Sequence, residues 1–116
     1  MQSSILRNKS YAFAVRIVNL SKHLTEKKKE YVLSKQVLRS GTAIGASINE
    51  AAYAESNADF VHKLSISLKE AQETHYWFSL LKDTKYITPK MFDSIDSDCE
   101  EIIKILTASI KTLKNK

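Results

Sequence analysis

Residues that turn, kink or cross-link a chain are scarce in this sequence. Its 116 residues include two glycines, one proline and one cysteine. An all-β fold needs a turn signal about every 8–12 residues, so this scarcity argues against it and favours long helices. Cys99 has no second cysteine to pair with, which excludes a disulfide within the chain. At this length we expect one domain over residues 1–116.

Long apolar runs are also absent. The longest stretch without a charged residue extends from Ser40 to Asn49. A transmembrane helix needs about 20 consecutive apolar residues, so no part of the sequence is long enough. Residues 1–7 lack the apolar core of a secretion signal. We therefore expect no membrane association and a cytoplasmic location.

Positive charge is distributed unevenly along the chain. The formal net charge is +5, and residues 1–56 hold nine Lys and Arg against four Glu, whereas residues 57–116 hold nine Lys against nine acidic residues. Such asymmetry favours an anionic partner, above all RNA or DNA, or an acidic surface of another protein. A solvated face that maintains solubility is the alternative. The candidate phosphate contacts are Arg7, Lys9, Arg16, Lys22, Lys35 and Arg39, together with the run from Lys27 to Lys29.

Apolar residues recur at steps of three and four, which is the spacing of one helix face. The spacing predicts four helices, over residues 4–27, 30–55, 57–85 and 88–114. On the third helix the predicted apolar face includes Leu68 and His75. Thr88 and Pro89 are typical of a helix start, as N-cap and first helical residue. Because the predicted connections are short, we expect an all-α fold, an antiparallel up-down-up-down four-helix bundle.

The only two glycines, Gly41 and Gly45, lie four residues apart inside the second predicted helix. Each destabilises a helix interior by about 0.8–1 kcal/mol relative to alanine. That cost is reasonable where another backbone approaches closely. Most residues around the glycines, from Ser40 to Ala52, are small, and on this small-residue face Ile44 and Ile48 continue the apolar spacing. The alternative is that Gly41 ends one helix, since glycine is the usual residue just past a helix C-terminus. We favour close helix packing.

More apolar residues are present than the four core faces need. A monomeric bundle would leave few of them outside the core, so we expect a homo-oligomer that buries a second face. Trp77 is expected to anchor the end of the bundle or a contact between subunits. The surplus comprises Val15, Val18, Tyr53, Val61, Ile66, Trp77, Leu80, Ile103 and Ile105.

No residue pattern typical of a cofactor or catalytic site is found. A di-iron bundle needs two Glu-x-x-His pairs, and the nearest pattern here is one Asp59-x-x-His62. Cys99 lies on the predicted core face of the fourth helix, where cysteine is more often a small apolar residue than a nucleophile. The glycines lack the Lys-Ser/Thr ending of a phosphate-binding loop. We expect no metal, no cofactor and no enzymatic activity.

Two acidic residues, Glu50 and Glu70, lie next to the small-residue face and on the third helix. We expect them to pair with Arg39, Lys63 or Lys69, within a subunit or between subunits, rather than to bind a ligand. Such pairs can fix the register of helices without adding much stability.

Two blocks of the sequence resemble the bacterial four helix bundle protein family. They are LRSGTAIGASINEA, residues 38–51, and ADFVHKLSISLKEA, residues 58–71, with further agreement at 73 and 76–81. Relatives of that family include proteins encoded in intervening sequences of large-subunit rRNA genes and the accessory variability determinants of diversity-generating retroelements. Ala43 and Ser47 stand where the family usually has serine and asparagine, which weakens any contact that those polar groups make.

The resemblance implies an antiparallel bundle that assembles into ring-shaped homopentamers with a central channel. It also implies, for the retroelement relatives, association with a reverse transcriptase and with RNA or DNA. Fold similarity by itself does not transfer function. Two hypotheses therefore stay open: an oligomeric scaffold that binds nucleic acid without sequence preference, and a protein–protein adaptor.

Overall fold

The computed structural model describes residues 2–115, with side chains from Ser4 onwards. It contains four helices and, between residues 2 and 115, no strand, which confirms the predicted all-α bundle. Each helix packs against its neighbours in sequence, and α1 also packs against α4. The bundle measures 47 × 21 × 19 Å. The helices are α1 (Gln2–Glu26), α2 (Leu33–Ala51), α3 (Asn57–Asp83) and α4 (Pro89–Lys114).

Neighbouring helices run antiparallel, as their side-chain contacts show. Lys9 on α1 contacts Glu101 on α4, and Arg16, further along α1, contacts the earlier residue Asp98. The contacts between α2 and α3 and between α3 and α4 follow the same descending order. The topology is therefore up-down-up-down. Among the described residues, no helix is both long and apolar enough to span a bilayer.

Side-chain caps explain two of the helix starts. The Ser56 hydroxyl accepts a hydrogen bond from the Asp59 amide (3.1 Å), and the Thr88 hydroxyl accepts one from the Met91 amide (3.1 Å), with Pro89 as the first helical residue. Both caps satisfy amide groups that have no partner within the first turn.

Helix α2 is shorter than the predicted 30–55. The Glu30 carboxylate accepts the amide hydrogens of Val32 and Ser34, so it precedes and caps the helix rather than forming part of it. After Ala51 the chain turns, and Tyr53, which is 83% exposed, has no core to pack against. Helix α3 ends at Asp83 instead of residue 85, because Lys85 takes a left-handed conformation with φ of 68°.

The core face of α3 differs from the prediction by one residue. Ser67 and Thr74 are buried, whereas Leu68 and His75 lie at its edge. The Ser67 hydroxyl donates to the Ile44 carbonyl oxygen (2.9 Å), and Thr74 donates to the Ser40 hydroxyl (2.9 Å). Small hydroxyl residues that bond across the seam let α2 and α3 approach closely, and buried polar groups with partners carry little penalty.

Large apolar side chains fill the centre of the bundle. Phe13 of α1 and Phe78 of α3 are fully buried and pack edge to face, with ring centroids 6.1 Å apart. Of the predicted surplus, Val15, Val18 and Tyr53 are exposed, while the other six are half-buried at the edges of the core. The reason is that the apolar stripe of a bundle helix is wider than one a/d seam. The outward-facing apolar surface is therefore smaller than the sequence predicts.

Helix α2 continues through both glycines, so it does not end at Gly41. A Cβ atom at Gly41 would lie 2.7 Å from the Cδ1 and Cγ1 atoms of Ile17 on α1. One at Gly45 would lie 3.3 Å from the Ser10 hydroxyl and 3.4 Å from its carbonyl oxygen. The glycines thus face α1, where no side chain fits at Gly41 without displacing Ile17.

Candidate functional site

Two of the basic candidates on α1 point toward α4 and are neutralised there. Lys9 Nζ lies 3.0 Å from a carboxylate oxygen of Glu101. The Arg16 guanidinium lies 2.7 Å from Asp98 and also donates to the carbonyl and the hydroxyl oxygens of Ser94. Since each cation already has a carboxylate partner, neither is well placed to take a phosphate.

Arg39, another candidate, belongs to a polar cluster on the seam between α2 and α3. It pairs with Glu70 (3.2 Å) and with Glu73, and Glu73 also accepts a hydrogen bond from the Trp77 indole (2.9 Å). The Trp77 hydrogen bond and then the guanidinium hold the pKa of Glu73 below its ordinary value, against the opposing effect of burial. Trp77 is half-buried beside Tyr76, at a ring-centroid distance of 5.1 Å.

Glu50 also lies in a pair across this seam. Its carboxylate accepts from Lys63 Nζ at 3.0 Å, and that hydrogen bond raises the pKa of Lys63 above its ordinary value. Both predicted acidic residues, Glu50 and Glu70, therefore pair within one chain, each linking α2 to α3.

A different set of basic residues converges at one end of the bundle. The antiparallel topology brings the α1–α2 and α3–α4 connections to the same end, with four carboxylates, Glu26, Glu30, Asp83 and Asp93. Lysines at this end outnumber these acidic residues two to one. Within residues 4–115, none of these lysines forms an ion pair. This lysine cluster comprises Lys22, Lys27, Lys28, Lys29, Lys35, Lys82, Lys85 and Lys90.

The lysine cluster is open to solvent. Its lysines are exposed apart from Lys82, which is half-buried with its ammonium 4.3 Å from the centre of the Phe92 ring. A groove of about 540 Å³ lies beside the cluster between α1 and α4. The groove has an apolar floor that includes Leu20 and Ile87, and Lys90 lies at its rim.

The sequence prediction found part of this cluster. Lys22, Lys35 and the run from Lys27 to Lys29 were among the candidates, whereas Arg7 lies near the start of α1, at the opposite end of the bundle. The sequence prediction did not include Lys82, Lys85 and Lys90, because the second half of the chain has no net charge when its charged residues are counted together. The signal that could have found them is their position next to the predicted α3–α4 turn.

Cys99 is inaccessible for chemistry at neutral pH. It is buried, and its thiol donates to the Ala71 carbonyl oxygen (3.3 Å). Burial, and then the nearby carboxylates, above all that of Asp96, raise its pKa to about 12. A nucleophilic cysteine needs the opposite shift.

The fold and this site together define a class of protein: a small antiparallel four-helix bundle with a cluster of unpaired lysines at one end. The chain belongs to the 23S rRNA-intervening sequence protein family, whose model matches residues 2–108, and this confirms the family resemblance. It is also similar to the crystal structure of a protein with unknown function from the S23 ribosomal protein family of Bacteroides thetaiotaomicron VPI-5482. The two are 55% identical with a TM-score of 0.94, over 96% of this chain and 99% of that one. No curated protein matches the sequence.

Proposed function

We propose that the protein is a non-enzymatic scaffold that binds RNA or DNA without sequence preference, through the lysine cluster. The observation that carries the proposal is that eight lysines converge at one end of the bundle and that none of them has a carboxylate partner among the described residues. Lys9, Arg16 and Arg39, by contrast, each have one. Lysines without partners can replace the counterions condensed on a phosphate backbone, which is the main source of non-specific affinity.

The shape of the site favours contact with the backbone over contact with bases. Phosphate contacts position a protein but carry no sequence information, whereas bases are read by side chains that enter a groove. The lysines lie on helix ends and on two connections, around a blunt end about 21 × 19 Å across. Such an end spans roughly six nucleotides at 3.4 Å each, so one chain makes few phosphate contacts.

Several copies would compensate for the small site of a single chain. Linked sites raise the effective affinity without any new contact, which is why we propose that the scaffold is a homo-oligomer. An exposed apolar stripe on α1 supports this: Tyr11, Val15 and Val18 recur at i, i+4 and i+7 and are 74%, 47% and 38% exposed. The homopentamer is the state implied by the family resemblance.

We expect Val15→Asp to dissociate the oligomer. A carboxylate in the middle of the apolar stripe would be buried unpaired in the assembly, whereas it is solvated in the single chain. Sedimentation equilibrium should show several copies for the natural protein and about one for the variant, with unchanged helical circular dichroism. The control is Gln72→Asp, which adds the same carboxylate at an exposed position of α3, away from the stripe. If the natural protein sediments as a single chain, the oligomeric part of the proposal is wrong.

The second candidate function is a protein–protein adaptor, with a reverse transcriptase as one type of partner. Tyr31 and Val32 favour it, because they are 61% and 71% exposed beside the lysine cluster. Exposed tyrosines are common at protein interfaces, and the lysines would then face an acidic surface of the partner.

We expect neutralisation of the loop lysines to weaken nucleic-acid binding. In the triple variant Lys27→Gln, Lys28→Gln, Lys29→Gln, affinity for a labelled structured RNA should fall at least about tenfold. The slope of log affinity against log salt should fall by about one for each lysine that no longer meets a phosphate. Fluorescence anisotropy at two salt concentrations measures both quantities. The three positions lie in the α1–α2 connection, so the core is unaffected.

A triple variant of equal charge separates the cluster from net charge. Lys104, Lys111 and Lys114 on α4 are exposed and lie outside the lysine cluster. Their replacement by glutamine should change the affinity much less. An equal loss in both variants would show that the cluster is not the site. If the natural protein shows no salt-sensitive binding of RNA or DNA, the scaffold function is wrong and the adaptor is favoured.

A further inference from the structure

A cluster of three metal-ligating side chains lies on the seam between α3 and α4, away from the lysine cluster. Asp96 and Glu100 are one turn apart on α4, so they share a helix face. His75 Nδ1 lies 2.7 Å from Asp96 Oδ1 and 3.6 Å from Glu100 Oε1, and the three ligand atoms all lie within 4.8 Å of one another. We propose that these residues bind one zinc ion that links α3 to α4.

The two distances from His75 to the carboxylates are close to those that a metal requires. Zinc binds nitrogen and carboxylate oxygen at about 2.0–2.2 Å, which puts ligand atoms of a tetrahedral site about 3.3–3.5 Å apart. The separation between His75 and Glu100 already fits this. The hydrogen bond between His75 and Asp96 has to lengthen by less than about 1 Å, which a small rotation of either side chain provides.

Asp96 is the buried member of the cluster. It is 8% exposed and held in the seam, whereas the His75 side chain is 42% exposed and its ring lies 6.2 Å from the Phe92 ring. The Glu100 side chain is 48% exposed. The metal would therefore keep one coordination position open to water, as do zinc sites with three protein ligands.

The ligand types decide between metals. One imidazole with two carboxylates suits zinc and similar transition metals, whereas magnesium and calcium prefer oxygen ligands alone. Cys99 is adjacent in sequence but does not belong to the set, because its thiol donates to the Ala71 carbonyl in the core. Spacing along the sequence does not reveal this cluster, because its ligands come from two helices. Here the antiparallel register of α3 and α4 brings them together.

The test is a titration of the metal-free protein with zinc chloride, in which isothermal titration calorimetry measures the binding. We expect saturable binding of one ion per chain and a higher midpoint of thermal unfolding in its presence, because a ligand of the folded state stabilises it. Glu100→Gln and His75→Gln should each lower the affinity at least about tenfold. Glu100 is the safer variant for folding, since it is half exposed and its contact with His75 is long.

Two matched variants and a spectrum complete the test. Glu101→Gln and His62→Gln make the same chemical changes at exposed positions and should bind zinc as the natural protein does. Cobalt should bind with a spectrum that lacks a thiolate charge-transfer band. No saturable zinc binding, an equal loss in the His62 variant, or a thiolate band that indicates Cys99 would each overturn the proposal.

Discussion

Cys99 of the folded protein is expected to react with a thiol reagent about a thousandfold more slowly than Cys99 of the unfolded chain. The thiolate is the reactive species. Burial raises the pKa of the thiol from an ordinary 9.0 to about 12, which lowers the thiolate fraction at pH 8 by about three orders of magnitude. Absorbance with Ellman's reagent, in metal-free buffer with and without urea, measures the two rates.

A variant of one neighbouring carboxylate tests the cause of the shift. Asp98 contributes less to the raised pKa than burial does. In the folded Asp98→Asn variant, Cys99 should therefore still react slowly, at a rate within about tenfold of that in the natural protein. If Cys99 of the folded protein reacts at a rate within tenfold of that of the unfolded chain, both the burial of Cys99 and the packing of α4 around it are contradicted.

Substitution of Gly41 by valine is expected to destabilise the protein by about 2–3 kcal/mol, because overpacking of a filled core costs this much. The first added carbon would already lie 2.7 Å from two atoms of Ile17, which is fully buried and cannot rotate into solvent. The midpoint of thermal unfolding should fall by about 10 °C. Urea unfolding followed by circular dichroism measures the free energy of unfolding.

Gly45 provides the matched comparison. A Cβ atom there would lie 3.3–3.5 Å from atoms of Ser10. Gly45→Ala should change the free energy of unfolding by less than about 1 kcal/mol, because the gain in helix propensity offsets this tight contact. The double variant Gly41→Ala with Ile17→Ala should be more stable than the sum of the two single changes predicts, since the atoms that clash are absent. Strict additivity would show that α1 and α2 do not meet at this point.

Close packing of α1 against α2 matters for the proposed function as well. The lysine cluster draws its residues from all four helices and both connections at one end. If α1 shifts relative to α2, the lysines of the first connection move relative to Lys82, Lys85 and Lys90. We therefore expect destabilised variants at Gly41 to bind nucleic acid more weakly without any change of charge.

The sequence by itself determined the number of helices, the core face of three of them and their antiparallel order. These features depend on local chemistry: the spacing of apolar residues, the cap at Thr88, and connections too short to cross the bundle. The apolar spacing that continues through the two glycines also indicated the close approach of another helix to α2, and Ile17 and Ser10 of α1 lie at that contact.

Only the tertiary structure decided which polar residues meet. The rotation of α3 depends on Ser67 and Thr74, whose hydroxyls are buried because partners across the seam accept their hydrogen bonds. Likewise, sequence reasoning cannot tell a paired cation such as Arg16 from an unpaired one such as Lys85. Partners between 13 and 92 residues away are brought within 4 Å by the register of packed helices, and that register is a property of the whole core.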